Sequence, residues 1–357
     1  MEHLGPGTIV GEYRIEAKLG EGGFGTVYRA VHPVIGKKVA IKVLSREFSS
    51  RKHVALRFIG EARAVNKIRH RNIVDIFSFG TLPTGHGYFA MELLEGMTLT
   101  QYLKTYGRPH PAYALSVLRQ VGRALDAAHA AGIAHCDLKP DNIFLTFDED
   151  GAVVVKLLDF GIAKLLGKSS AEESSVTLMM RAGASAGTPH YMSPEQWHGV
   201  HVDHRTDIYS FGVVAYEMLT GRLPFDGDNL FAIMVKHLHA TATRASVVCP
   251  ALPSELDAPI MLMLAKSPAE RPTCLAEAVH DLYDALWRAV APPIDTARPR
   301  RGLIIGSALA AALAAAVAVW STIPHSRAAV AASSMSAAFA VSPPEPASSC
   351  YSLRDGR

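Results

Sequence analysis

The chain has 357 residues, enough for one two-lobed domain of roughly 250–300 residues with a tail, or for two ordinary domains. Its 36 Lys+Arg and 33 Asp+Glu give a net charge of +3 with 19% of residues charged, too mild a balance for a nucleic-acid binder. Cys136, Cys249, Cys274 and Cys350 are scattered without a CxxC pair, which argues against a disulfide framework or a cysteine zinc site and fits a reducing cytosol.

The first residues, Met1 to Gly7, carry no charged-then-apolar pattern, so no cleaved secretory signal is expected. Residues 13–45 alternate apolar and polar. Tyr13–Glu16, Thr26–Val31 and Lys38–Leu44 read as three strands, the first two joined by a glycine-rich turn. Residues 52–68 read as a helix with Val54, Phe58, Ala62, Val65 and Ile68 on one face. Ile73–Phe79 and Gly87–Leu94 are strand-like runs. Beyond Gly96 the period becomes helical, notably over Ala112–Ala131, Asp207–Leu219 and Leu275–Ala289. The histidines His198, His201 and His204 lack the i,i+4 pair with an acid that zinc hydrolases use, and read as solvated.

The C-terminal part changes character. Residues 291–301 are a Pro- and Arg-rich linker, and 302–323 run 22 residues without a charge. As a helix at about 1.5 Å per residue that stretch is long enough to cross a bilayer core of about 30 Å. Trp320 lies near one end. Arg298, Arg300 and Arg301 precede the run and only Arg327 follows closely, so the positive-inside rule places residues 1–301 in the cytoplasm. The Ala/Ser/Pro-rich tail 324–357 is expected to be disordered and outside.

The chemistry concentrates in three places. Gly20-Glu21-Gly22-Gly23-Phe24-Gly25 is a GxGxxG, a weak sign alone because dinucleotide folds share it. A dinucleotide turn opens a helix, whereas these glycines run into a strand, which favours a hairpin folded over phosphates, with Val27 capping a base. Lys42 follows one strand later in Val39-Ala40-Ile41-Lys42. Then come His135-Cys136-Asp137-Leu138-Lys139-Pro140-Asp141-Asn142 and Asp159-Phe160-Gly161. Phosphoryl transfer needs such a set, because its catalysis is mostly positioning and charge neutralisation. Asn142 and Asp159 offer hard oxygen ligands to Mg²⁺, Asp137 can accept the proton of an attacking hydroxyl, and Lys139 can neutralise charge in flight.

In this order and spacing the motifs resemble the eukaryotic-type protein kinase family over roughly residues 13–290. The resemblance implies an α+β, bilobal protein-kinase fold, with a small β-rich N-lobe (about 13–95) and a larger helical C-lobe (about 96–290), here followed by one transmembrane helix. It also implies an ATP site of Leu19, Gly20, Glu21, Gly22, Gly23, Phe24, Gly25, Val27, Ala40 and Lys42. Glu61 would pair with Lys42, and Met91, Glu92 and Leu94 would form the hinge at the adenine. Phe160 and Gly161 would open an activation segment rich in Ser and Thr, in which autophosphorylation is expected. Gly187 to Glu195 would close it. Glu195 would pair with Arg271, and Asp207 would brace the catalytic loop. His135, Phe160, Val65 and Ile76 would stack as an apolar column.

Lys139 with Thr188 points to serine and threonine acceptors. The wording Ala186–Gln196 with a single span resembles the bacterial membrane-anchored branch. The expected enzyme is therefore an ATP- and Mg²⁺-dependent protein serine/threonine kinase. Its partners would be protein substrates and the membrane, with pairing of small lobes into a homodimer as a route of regulation, and no nucleic acid. The departure is Cys136, where the family's commoner residue is an arginine that pairs with an activation-loop phosphate. Cysteine cannot make that bidentate charged bond, so activity should depend less on such a phosphate. Two other readings differ in kind: a pseudokinase scaffold and a small-molecule phosphotransferase. The complete set Lys42, Asp137, Asn142 and Asp159 weighs against the first. The Gly187–Glu195 segment with Arg271 weighs against the second.

Overall fold

The computed structural model describes residues 4–22, 25–45, 68–159, 189–200 and 202–290. Outside them lie Gly23, Phe24, Glu61, Val65, Phe160, Gly161 and Thr188, the expected helix over 52–68 apart from Ile68, and the activation-segment serines. The linker 291–301, the expected span 302–323 and the tail lie outside as well. Among the described residues no helix is long and apolar enough to cross a membrane.

The alternating N-terminal segments fold as antiparallel strands: β1 (Ile9–Val10), β2 (Tyr13–Gly22), β3 (Gly25–Val31), β4 (Lys38–Leu44), β5 (Ile76–Thr81) and β6 (Gly87–Glu92). They form one sheet in the order β1-β2-β3-β4-β6-β5. On β2 the alternation buries Tyr13 and Ile15 and exposes Arg14. These two join Tyr28, Ala30, Val39, Ile41 and Ala90 in a lobe-sized core. β1 precedes the expected start at residue 13 and buries Val10 completely.

The run expected as a strand from Ile73 starts later, at Ile76. Asn72 and Val74 leave the large sheet to bond the second lobe: Leu157 N–H donates to Asn72 O (2.8 Å) and Val74 N–H to Leu157 O (3.0 Å). The buried Asn72 side chain adds bonds to Gln120 Oε1 (3.0 Å) and Val155 O (2.8 Å), and this satisfaction of a buried polar group outweighs strand propensity.

The second lobe is mainly helical: α1 (Leu99–Tyr106), α2 (Pro111–Ala130), α3 (Pro194–His198), α4 (Arg205–Thr220), α5 (Leu230–His239), α6 (Ala245–Val248), α7 (Asp257–Met263) and α8 (Leu275–Val290). Pro111 begins α2, where a missing N–H costs nothing, and the His110 ring accepts from Ala112 N–H at its N-cap. Helix α4 is buried nearly all round, as befits a helix at the centre of a core; Ile208, Phe211, Val214 and Leu219 are fully buried. Gly221, left-handed at φ 75°, stops it.

This lobe also carries a three-stranded sheet of β7 (Met97–Thr98), β8 (Ile143–Phe147) and β9 (Val153–Leu157), an addition to the helical lobe expected. The β8–β9 hairpin pairs Ile143 with Leu157. It therefore sets residue 142 beside residue 158, with the expected metal-binding residues Asn142 and Asp159 at its open end.

Candidate active site

Strand register assembles the nucleotide side of the site. Val27 lies opposite Lys42 and Met91 opposite Ala40, so the period of two puts all four on one face of the sheet. Leu19 sits in a register shift between Lys18 and Gly20 and is exposed. The glycines of the hairpin differ in what they allow. Gly25 has φ 151°, and a Cβ there would lie 2.0 Å from Val43 O, so glycine is demanded by the fold. A Cβ at Gly20 or Gly22 would meet nothing within 4 Å. Open space over these two fits a close approach by phosphates.

At the end of β6, Glu92 N–H donates to Asp75 O (3.0 Å), while its carboxylate accepts from Asp75 N–H (2.8 Å) and from Lys156 Nζ (2.6 Å). Glu92 therefore fastens the expected hinge to β9, two residues before Leu158-Asp159. Leu94 follows in the connection to β7.

The two turns expected to be catalytic follow, and the one carrying Asp159 touches this sheet. Lys42 Nζ donates to Asp159 Oδ2 at 2.5 Å; Lys42 is 12% exposed and Asp159 is 41% exposed. The Glu61 expected as a partner of Lys42 lies outside the described residues. Asp159 has φ 44°, in the left-handed region, a strain that proteins keep where side-chain direction matters. Asp137 Oδ2 accepts from Lys139 Nζ (2.9 Å) and from Asn142 Nδ2 (3.2 Å), and the same Nδ2 donates to Asp137 O (2.8 Å). That fixes the Asn142 amide with its nitrogen toward Asp137 and its oxygen turned away. Leu158 N–H donates to Asn142 O (2.9 Å), which keeps Asp159 beside Asn142. One amide oxygen and one accessible carboxylate suit Mg²⁺, which binds through few protein oxygens and its nucleotide's phosphates.

Behind these turns stands Asp207, fully buried. Its Oδ2 accepts from His135 N–H (2.7 Å) and from His129 Nε2 (2.8 Å), and its Oδ1 from Cys136 N–H (2.8 Å). Burial alone would raise its pKa; the His129 hydrogen bond and charge, with the His135 contacts, more than offset this and hold it below the usual carboxylate value. His135 is also fully buried, which pushes its pKa down, and its Nε2 bonds Leu158 O at 3.0 Å. Both ring nitrogens are thus engaged by backbone groups, Nδ1 accepting from Asp137 N–H at 3.3 Å. Of its expected apolar column, Ile76 is half-buried; Phe160 and Val65 are outside the described residues.

Glu195 and Arg271 form the expected buried pair, through two bonds at 2.7 and 2.8 Å. His129, Lys156, Gln120 and Gln196 are contributors that sequence reasoning missed. Each acts through one to three specific side-chain bonds, which neither periodicity nor the motifs signal.

Residues 13–283 match the family model described as the protein kinase domain. The serine/threonine-protein kinase Pkn1 of Myxococcus xanthus is 43% identical over 294 residues, covering 82% of this chain and 41% of Pkn1. PknL of Mycobacterium tuberculosis is 38% identical over 259 residues, covering 72% of this chain and 62% of that protein. The chain thus spans less than two thirds of the length of these relatives. The solved kinase domain of Mycobacterium tuberculosis PknI superposes with a TM-score of 0.62 at 25% identity, covering 79% of this chain and 100% of that domain.

Proposed function

The chain belongs to the protein kinase family, among its bacterial serine/threonine members, and from that premise we propose that it transfers the γ-phosphoryl group of Mg-ATP to Ser and Thr hydroxyls of proteins, itself included. The observation that carries the reading is the joint placement of Lys42 on Asp159 at 2.5 Å and of Lys139 and Asn142 on Asp137 at 2.9 and 3.2 Å. The Leu158 N–H to Asn142 O bond joins the two groups, so a phosphate-facing lysine, the candidate base and both candidate Mg²⁺ ligands stand together.

In this reading Lys42 and the glycine hairpin hold the triphosphate, and Ala40, Val27 and Met91 line the base. Asn142 and Asp159 would hold Mg²⁺, which screens the charge of the phosphates when bound. Asp137 accepts the acceptor's hydroxyl proton as the oxygen-to-γ-phosphorus bond forms and the bond to the leaving ADP oxygen breaks. Lys139 stands beside Asp137 to neutralise the transferring group. The uncharged stretch 302–323, with arginines before it, supports a single-span anchor that leaves the kinase in the cytoplasm, linked to signalling at the membrane.

The test uses the full-length chain with labelled ATP and Mg²⁺, itself and a generic basic protein as acceptors, and acid hydrolysis to identify the labelled amino acid. Label on serine or threonine that drops about 10²–10⁴-fold in Asp137→Asn supports the reading. Absence of label from folded, nucleotide-binding protein sinks it. Anchoring is read separately, by whether the chain stays in the membrane pellet after alkaline carbonate.

A further inference from the structure

Cys136, the residue before Asp137, has φ 59°, a left-handed conformation that side chains other than Gly rarely occupy. Such a conformation persists only where its surroundings over-determine it. Its N–H is taken by Asp207 Oδ1 at 2.8 Å. Its carbonyl accepts from Gln196 Nε2 at 2.8 Å, in a bond whose partners are both buried and 60 positions apart in the chain. The Cys136 carbonyl and the Asp137 N–H belong to one peptide plane, and the N–H side donates to His135 Nδ1 at 3.3 Å. Because a peptide is rigid, fixing both its edges fixes the direction in which Asp137 leaves the backbone.

Gln196 is itself held. Its Oε1 accepts from Ser193 N–H at 3.0 Å, so the amide cannot flip without losing both bonds. Ser193 Oγ lies 2.6 Å from Thr206 Oγ1, on the helix that carries Asp207. Glu195, the neighbour of Gln196, is locked by Arg271. The short helix α3 is thereby a rigid block, and Gln196 is its reach into the catalytic loop.

We propose that Gln196 is a positioning residue for the base: it sets the Cys136–Asp137 peptide plane and ties the aim of Asp137 to the segment 189–196. The tie is a neutral hydrogen bond between side chain and backbone, and it acts on the residue at which the family's commoner arginine would use a charge. The kinetic part of this inference rests on the kinase reading; the structural part does not.

The experiment compares Gln196→Met, which keeps shape and removes both bonds, with Gln196→Glu, which keeps the acceptor for Ser193 N–H and sets an oxygen against the Cys136 carbonyl. In the full-length chain both should lower kcat about 10–100-fold while KM for ATP and for peptide stays within about twofold, because a displaced base slows the chemical step without weakening binding. Amide exchange at Asp137 should quicken about tenfold in both. Folding of each variant is checked by nucleotide binding, and either variant alone suffices. Wild-type kcat with unchanged Asp137 exchange overturns the proposal, as does a loss confined to thermal stability. If the unmodified chain transfers no phosphate, the kinase reading fails, and the exchange measurement still decides for or against Gln196.

Discussion

Arg271 grips Glu195 with two parallel hydrogen bonds, Nη1 to Oε1 at 2.7 Å and Nη2 to Oε2 at 2.8 Å, and both side chains are buried. Its remaining donors go to the carbonyls of Ala265, Lys266 and Arg205, so the guanidinium is saturated. Removing one member strands the other's charge in the core. Arg271→Ala should therefore cost about 3–5 kcal/mol in urea unfolding. Arg271→Lys should recover only part of this, because an ammonium cannot make the two-pronged contact. An unfolding midpoint unchanged in Arg271→Ala would remove the pair from the list of supports.

Lys42 presents the opposite balance. Its partner Asp159 is 41% exposed, so water can replace the ion pair when the lysine is lost. Lys42→Met should leave stability within about 1 kcal/mol of the parent, as for partly solvated pairs. Its kcat/KM for ATP should nevertheless fall about 100-fold or more, since a charge aimed at the phosphates is gone. A variant that loses stability and keeps activity would make Lys42 a structural residue.

The sheet-rich first lobe, the helical second lobe and most of the described site were legible because each rests on a local pattern. Alternation marks β2 to β4, and the tight strings around Lys42, Asp137 and Asp159 carry their spacing with them. Illegible were the contacts made at long range by single polar side chains. Asn72 breaks the start of β5 because its partners, Val155 and Gln120, are 83 and 48 residues away. His129 stands in an unremarkable alanine-rich helix and reveals itself only when α4 brings Asp207 to within 2.8 Å. The hairpin of β8 and β9 was illegible because its five-residue strands are short, nearly continuous apolar runs without the alternation that marks a strand.

Asn142 offers a test of the metal assignment. Its amide nitrogen serves Asp137, and its oxygen is the candidate ligand. Asn142→Ala removes the oxygen and should raise the Mg²⁺ concentration for half-maximal rate about tenfold. Asn142→Asp supplies a stronger ligand but sets a carboxylate where the amide nitrogen met Asp137 Oδ2 at 3.2 Å. Like charges so close disfavour one another. Asn142→Asp should thus regain Mg²⁺ affinity while kcat stays low, a split visible in Mg²⁺ titrations at saturating ATP. Equal Mg²⁺ dependence in all three proteins would take Asn142 out of the metal site.

Stability toward acid should depend on His237. Its ring is enclosed by Trp197, Tyr209 and Phe225, and its Nδ1 lies 2.9 Å from the Tyr209 hydroxyl. Burial, with the nearby Lys266 charge adding to it, lowers its pKa from 6.5 to about 3. Well above pH 6.5 the ring is neutral in both the folded and the unfolded chain, so it contributes nothing to pH dependence there. Below that value the unfolded chain takes up a proton that the folded chain refuses until about pH 3, and stability falls through this window, by at most about 1.4 kcal/mol per pH unit. His237→Leu should be less stable at pH 7, because the Tyr209 hydroxyl loses its partner, yet its unfolding free energy should decline less steeply between pH 6 and 4. Urea titrations at pH 7, 6, 5 and 4 measure both slopes. Parallel slopes for the two proteins would mean that His237 accepts its proton in the folded chain and that other groups set the acid limit.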